Sequence, residues 1–417
     1  MTIETNYIFW IIIIAVIVIF LLDQISEYLN LKALVPKVPE EFKNVFDDKK
    51  YAQSLKYTKT TTKFGFLDST FNLLIFLVFW LLSGFGWLDQ FVSNLGHGPI
   101  GSGLIFFGIL IFASSILGLP FELYETFKIE AEFGFNNTTL KTFITDKFKG
   151  IIIGGIIGIP VLSLILWLFE SVDMAWLWGW IFISSFSLLM AYLAPAIIMP
   201  MFNKFEPLED GELKTAINEM SSKCDFPLTE LSVMDGSKRS KKSNAFFTGF
   251  GKNKKIALFD TLIENHNTKE LVAVLAHEIG HFKKKHIIQT LFIGIAQTGA
   301  LFFLLGFFIK SSPLSMAFGV SDPKVHCSLL FFTLLFKPIS KVLSVIMNLL
   351  SRKNEFEADE YAATVTKDPD SLITALKKLS ADNLSNLTPH PFYVFMHHSH
   401  PTVNERVKAL RLLDLAK

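Results

Sequence analysis

Apolar residues in this chain gather into long uninterrupted runs, with little of the three-to-four spacing by which a helix turns one face to a core. A helix that crosses a bilayer needs about 20 mostly apolar residues. Seven stretches meet that need once tilt and interfacial ends are allowed: 8–22, 71–87, 103–123, 151–169, 175–199, 287–309 and 329–350. The first has no basic residue before it and no small-residue cleavage site after it, so it is expected to remain as a span and not to be removed as a signal peptide. The expected organisation is therefore 1–200 for spans one to five with their loops, 201–286 for a polar domain, 287–350 for spans six and seven, and 351–417 for the rest of the polar domain.

Within 201–286 the pattern shortens. An amphipathic helix is predicted at 214–222, strands at 230–234, 245–250 and 255–260, a turn at Gly251-Lys252-Asn253, and a helix from 269 to about 285. In the seventh span Lys337, Lys341, Ser344, Asn348 and Arg352 recur every three or four residues. Such a stripe is costly against lipid, so it is expected to face a wet interior.

Composition agrees with a membrane protein: 51% of residues are hydrophobic, 43 are Phe, and 18% are charged, against about a quarter in soluble domains. A net charge of +1 gives no reason to expect nucleic acid or an acidic partner. Lysine placement orients the spans. The N-terminus, 88–102 and the turn near Ser171 carry no Lys or Arg, whereas 23–70, 124–149, 200–286 and the C-terminal tail are rich in Lys. By the positive-inside rule the second group is cytoplasmic. Lys310 and Lys324 are the basic residues of the one outer loop that has any. Cys224 and Cys327 then fall on opposite sides, so they are expected to be free, buried thiols. The sequons at Asn136, Asn137, Asn383 and Asn386 lie inside, where no glycan is expected. A monomer is expected. Compact polar loops favour a bacterial inner membrane, with the endoplasmic reticulum as the alternative.

The chemistry is concentrated in Ala276-His277-Glu278-Ile279-Gly280-His281. Two imidazoles four residues apart share one helix face and can reach one ion, and the intervening Glu278 can take a proton from water at that ion. A hydrolytic zinc needs a third protein ligand. Glu355 in Asn354-Glu355-Phe356-Glu357-Ala358-Asp359 can supply it, with Asp359 one turn on to hydrogen-bond the outer nitrogen of a ligating histidine and Glu357 turned away. The His277 helix runs into the sixth span and Glu355 follows the seventh, so both leave the membrane at the same face. Lys283, Lys284 and Lys285 place the motif outside the hydrocarbon, unlike intramembrane zinc proteases. A zinc-binding scaffold would have no use for the added base.

Further motifs extend the pattern over nearly the whole length. They are Leu119-Pro120-Phe121-Glu122-Leu123-Tyr124 with Ile129-Glu130 and Gly134-Phe135-Asn136, then Pro200-Met201-Phe202-Asn203-Lys204-Phe205-Glu206-Pro207-Leu208, Ser243-Asn244-Ala245-Phe246-Phe247, and Ser399-His400-Pro401 with Glu405-Arg406. With these the chain resembles an Ste24-type CAAX prenyl protease, a membrane member of the M48 zinc peptidases. The resemblance implies a mainly α integral membrane protein whose seven spans enclose a water-filled chamber capped by a cytoplasmic, gluzincin-like α+β zinc domain. It implies one Zn2+ per chain and a substrate laid along an edge strand, its backbone bound by Asn244. His400 would donate to the oxyanion, with Pro401 selecting it over His397 and His398, and Asp359 would orient His277. Arg406 is left between a substrate contact and an ordinary ion pair. The implied substrate is a peptide or membrane-associated protein, lipidated in the prenyl-protease reading and unlipidated in a rival reading as a broad quality-control peptidase.

Overall fold

The computed structural model describes residues 2–248 and 254–415. Seven of its helices are long and apolar enough to cross a membrane: Tyr7–Lys32, Asp48–Leu81, Gly98–Glu130, Leu140–Ser171, Ala175–Phe202, His286–Phe308 and Val325–Thr366. They contain five of the seven expected runs and extend beyond most of them; the expected 71–87 is cut at Leu81, where Ser83 turns left-handed at φ 59° and a separate helix Gly84–Asn94 begins, and 287–309 overruns its helix by one residue. Apolar composition marks only the stretch that must sit in hydrocarbon, whereas helix continues through polar sequence wherever packing supports it.

The seventh helix shows what the extra length does. Its 42 residues rise about 63 Å, twice the roughly 30 Å of a hydrocarbon core. The surplus carries Glu355 and Asp359 into the polar domain as a rigid continuation of the membrane span.

Successive spans touch in a closed ring: first to second, then by the short helix Gly84–Asn94 to the third, on through the fourth, fifth, sixth and seventh, and back to the first. Among the described residues the main hydrophobic cluster of the ring lies at the end far from the polar domain. There Trp80 stacks on Phe318, Phe318 stacks on Phe331, and Phe85 meets both phenylalanines edge-on. Elsewhere the spans bury little. In Ala175–Leu193, for example, the buried residues are Ala175 and Gly179, both in the first turns. Helices of a solid bundle bury a continuous stripe, so these are walls around open space.

Part of the polar stripe of span seven is matched by protein groups. Lys341 pairs with Asp23 of the first span at 2.7 Å. Arg352 Nη1 donates to the carbonyls of Val394 and His398 at 3.0 and 2.6 Å. Asn348 borders a cavity that reaches His281.

The polar domain has a four-stranded sheet in the order β1 (Phe205–Pro207), β2 (Leu228–Met234), β4 (Lys254–Phe259), β3 (Ala245–Thr248). β2 and β4 are parallel, and β1 and β3 are antiparallel edges. The expected strand 245–250 is described as far as Thr248, and the rest of it and the Gly251-Lys252-Asn253 turn lie outside the described residues. The expected strand 255–260 ends one residue early, because Asp260 begins a short helix, Asp260–Asn265. A single core joins both polar regions, with Ile217, Leu258, Ala276 and Ile279 from the first packed with Ala362, Leu372 and Leu410 from the second. Cys224 and Cys327 are free and buried.

Candidate metal centre

The helix that carries the motif, Thr268–Lys283, starts at a capping box. Asn267 Oδ1 accepts from the Glu270 amide at 3.0 Å, and Glu270 Oε2 accepts from the Asn267 amide at 3.1 Å, an arrangement worth about 1 kcal/mol. Leu271, Leu275, Ala276 and Ile279 bury the inner face. At Gly280 the helix touches the continuation of span seven. A Cβ there would lie 3.0 Å from the Ala358 carbonyl oxygen, so the glycine permits the approach that sets Glu355 beside His277 and His281.

The result is a tight cluster of ligand atoms. His277 Nε2 and His281 Nε2 are 3.2 Å apart. Glu355 Oε1 is 3.3 Å from His281 Nε2, and its Oε2 is 3.5 Å from His277 Nε2. Two imidazole nitrogens on one tetrahedral zinc stand about 3.3 Å apart. Glu355 Oε2 is also buried without a hydrogen bond, although Arg406 Nη1 lies 3.2 Å away at an unsuitable angle. A buried oxygen left without a donor beside two converging lone pairs fits a cation, and His277, His281 and Glu355 could hold one.

The surrounding groups fix the histidines. Asp359 Oδ1 lies 2.8 Å from His277 Nδ1, and a carboxylate only accepts. His277 therefore donates from Nδ1 and keeps Nε2 for a metal. Arg406 is buried, and its Nε and Nη2 donate to Asp359 at 2.7 and 2.6 Å. Of the two readings open for Arg406, substrate contact or ion pair, the distances supply the ion pair. Nε and Nη2 are committed to the carboxylate that orients His277, and Nη1 faces Glu355 at 3.2 Å.

Burial disfavours a charged His277, but the hydrogen bond that its Nδ1–H donates to Asp359, together with the Glu355 carboxylate facing Nε2, outweighs it and pushes the pKa up to about 9. Below that pH a metal must displace a proton from the ring. Affinity for zinc is therefore expected to rise with pH, by about tenfold per unit up to roughly 9. Chelator competition at several pH values checks the slope.

Glu278, His400 and Asn244 line the same cavity of about 260 Å3. His400 is 64% exposed, and its Nε2 is 3.3 Å from Glu355 Oε1. The segment before it is held by the Arg352 bonds described above. Asn244 is exposed and leads into β3, the sheet edge nearest the cluster, and its Oδ1 accepts from the Ala245 amide at 2.8 Å. Leu372, Leu376 and Leu379 form an apolar wall of this cavity. A larger cavity of about 730 Å3 between the spans shares His281 with it and also touches His286. His286 carried no signal in the sequence, since five residues is not a contact spacing along a helix. The leucine wall reads in the sequence only as an ordinary amphipathic helix.

Two family models cover the chain. The CAAX prenyl protease N-terminal model, described as five membrane helices, matches residues 27–204. The peptidase family M48 model matches residues 207–414. CAAX prenyl protease 1 of Saccharomyces cerevisiae is 35% identical over 90% of this chain and 88% of its own length. The human CAAX prenyl protease 1 homolog is 34% identical over 90% of this chain and 89% of its own. The Arabidopsis thaliana homolog is 36% identical over 94% and 95%. The crystal structure of S. mikatae Ste24p superposes with a TM-score of 0.92 at 33% identity, covering 98% of this chain and all of that one.

Proposed function

The chain belongs to peptidase family M48 as a membrane metallopeptidase of the CAAX prenyl protease type, and from that membership we propose that His277, His281 and Glu355 hold one zinc ion beside a peptide bound along β3. The observation that carries this is the convergence of three ligand atoms, from buried His277 and Glu355 and partly buried His281, within 4.8 Å of one another, in a cavity that also holds Glu278 and opens on a sheet edge. When bound, zinc would supply Lewis-acid polarisation of the scissile carbonyl and a low-pKa water.

The remaining steps belong to side chains. Glu278 removes the proton from the attacking water and passes it to the leaving amine, breaking the C–N bond. His400 donates from Nε2 to the oxyanion as it develops. Asn244 holds the substrate backbone as an added strand on β3. Asp359 keeps His277 in the tautomer that leaves Nε2 free, and Arg406 holds Asp359.

We propose a lipidated substrate. The span cavity is lined mainly by apolar surface and meets the catalytic cavity at His281, so a lipid chain can lie in the first while the peptide beside it enters the second. The yeast, human and Arabidopsis relatives are named as CAAX prenyl proteases. Prenylated peptide is expected to be cleaved with kcat/KM at least about tenfold above the same peptide unprenylated, since each buried CH2 contributes about 0.8 kcal/mol. Equal rates would favour the broad quality-control peptidase. Lysine placement supports a polar domain on the cytoplasmic side, and we propose that the chain acts as a monomer. Compact loops favour a bacterial inner membrane and the eukaryotic relatives favour the endoplasmic reticulum. In either membrane the proposal is a zinc domain that faces the cytoplasm.

A further inference from the structure

Both histidines of the cluster present Nε2 to the metal position, so each has a Nδ1–H that needs an acceptor. For His277 the acceptor is Asp359. For His281 Nδ1 there is no carboxylate in reach among the described residues. The atom beside its Nδ1 is Nδ1 of His286, at 3.0 Å, with the two rings 72° apart. The far nitrogen of His286, Nε2, lies 3.2 Å from Glu357 Oε2. The protons along this line have only one consistent order. Glu357 accepts from His286 Nε2–H, which leaves His286 Nδ1 as the acceptor for His281 Nδ1–H, and that leaves His281 Nε2 with a free lone pair.

The backbone is bent to make this contact. On an uninterrupted helix residue 286 would stand about 140° round the axis from residue 281, out of reach. The motif helix instead ends at Lys283, and Lys285 takes a left-handed conformation at φ 62° before the next helix begins at His286. For a lysine that conformation is strained. It turns His286 back against His281, where it is buried, while Glu357 remains partly exposed with Lys353 Nζ 3.6 Å from its other oxygen.

We infer that His286 and Glu357 are positioning residues for the metal centre: a relay that fixes the tautomer and orientation of His281 as Asp359 does for His277. The inference rests on the ligand set proposed above. A carboxylate–histidine pair thereby orients each ligating ring, one directly and one through a second imidazole.

The test is metal affinity, measured on the purified full-length protein by competition between zinc and a chelator, with cobalt spectra as a second readout of ligand geometry. His286→Ala is expected to weaken zinc binding roughly tenfold to a hundredfold, the usual effect of removing a hydrogen-bonding partner of a ligand. His286→Asn places an amide oxygen where Nδ1 was, so it is expected to recover most of that loss and the wild-type cobalt spectrum. A packing role would not be rescued, since Asn leaves the rest of the ring volume empty. Glu357→Ala is expected to weaken binding less, and His286→Ala/Glu357→Ala no more than His286→Ala alone, because both act along one line. Wild-type affinity in His286→Ala, failure of His286→Asn to rescue, or additive losses in the double variant would each overturn the relay. His277→Ala in the same assay tests the ligand set itself. Wild-type affinity there means the ligands are wrong, whereas its loss with His286→Ala unaffected removes the relay alone.

Discussion

Replacing Glu278 by Gln is expected to lower kcat for peptide cleavage by about a hundredfold to ten-thousandfold, the range that a positioned general base contributes, while zinc content stays the same. Gln has the shape of Glu and cannot take a proton. Glu278 lies on the cavity wall next to His277 and is not among the three converging ligand atoms, so its loss should leave the metal in place. The measurement is single-turnover cleavage together with metal analysis on the same sample. An active Glu278→Gln variant would mean that another group accepts the proton. Loss of metal would mean that Glu278 is a ligand and that the roles of the cluster are misassigned.

Replacing Arg406 by Ala is expected to destabilise the polar domain by about 3–5 kcal/mol, the cost of stripping a buried charge of its partner. Two carboxylates depend on this guanidinium. Asp359 takes both of its hydrogen bonds, and Glu355 has Nη1 at 3.2 Å. A bound cation neutralises Glu355 but does not reach the far side of Asp359. The loss should therefore be larger in metal-free protein than in zinc-loaded protein. Thermal unfolding of both forms checks this. Arg406→Lys should recover only part, because an ammonium cannot make the two-pronged contact. Unchanged stability with a raised KM would instead make Arg406 a substrate contact.

Those two residues illustrate what a sequence can convey about such a site. The role of Glu278 is local: two histidines four apart with a glutamate between them read directly as chemistry, because the helix repeat fixes their relative positions. The Glu355 and Asp359 pair was legible for the same reason, being one turn apart. Arg406 was legible as part of the Glu405-Arg406 motif, open between a substrate contact and an ion pair. Its partner is 47 positions away in sequence, and no periodicity reports that. His286 was hidden by a single left-handed lysine, a conformation that composition does not signal. The membrane spans were legible because hydrocarbon imposes about 20 apolar residues, whereas the polar extension of span seven, which places Glu355, obeys no such rule. The stripe from Lys337 to Arg352 was legible as a polar face. That it would sew the span to Asp23 and to the backbone before His400, besides bordering a cavity, was not, since periodicity shows a face and leaves open what it meets.

The central claim is that cleavage depends on one metal ion held by His277, His281 and Glu355. Its most direct test measures zinc per chain and peptide cleavage in wild type, in chelator-treated protein given zinc back, and in Glu355→Ala. The account predicts one zinc per chain, activity that disappears with chelation and returns with zinc, and neither metal nor cleavage in Glu355→Ala. Cleavage that survives complete removal of the metal, or a full complement of zinc in folded Glu355→Ala, would contradict it.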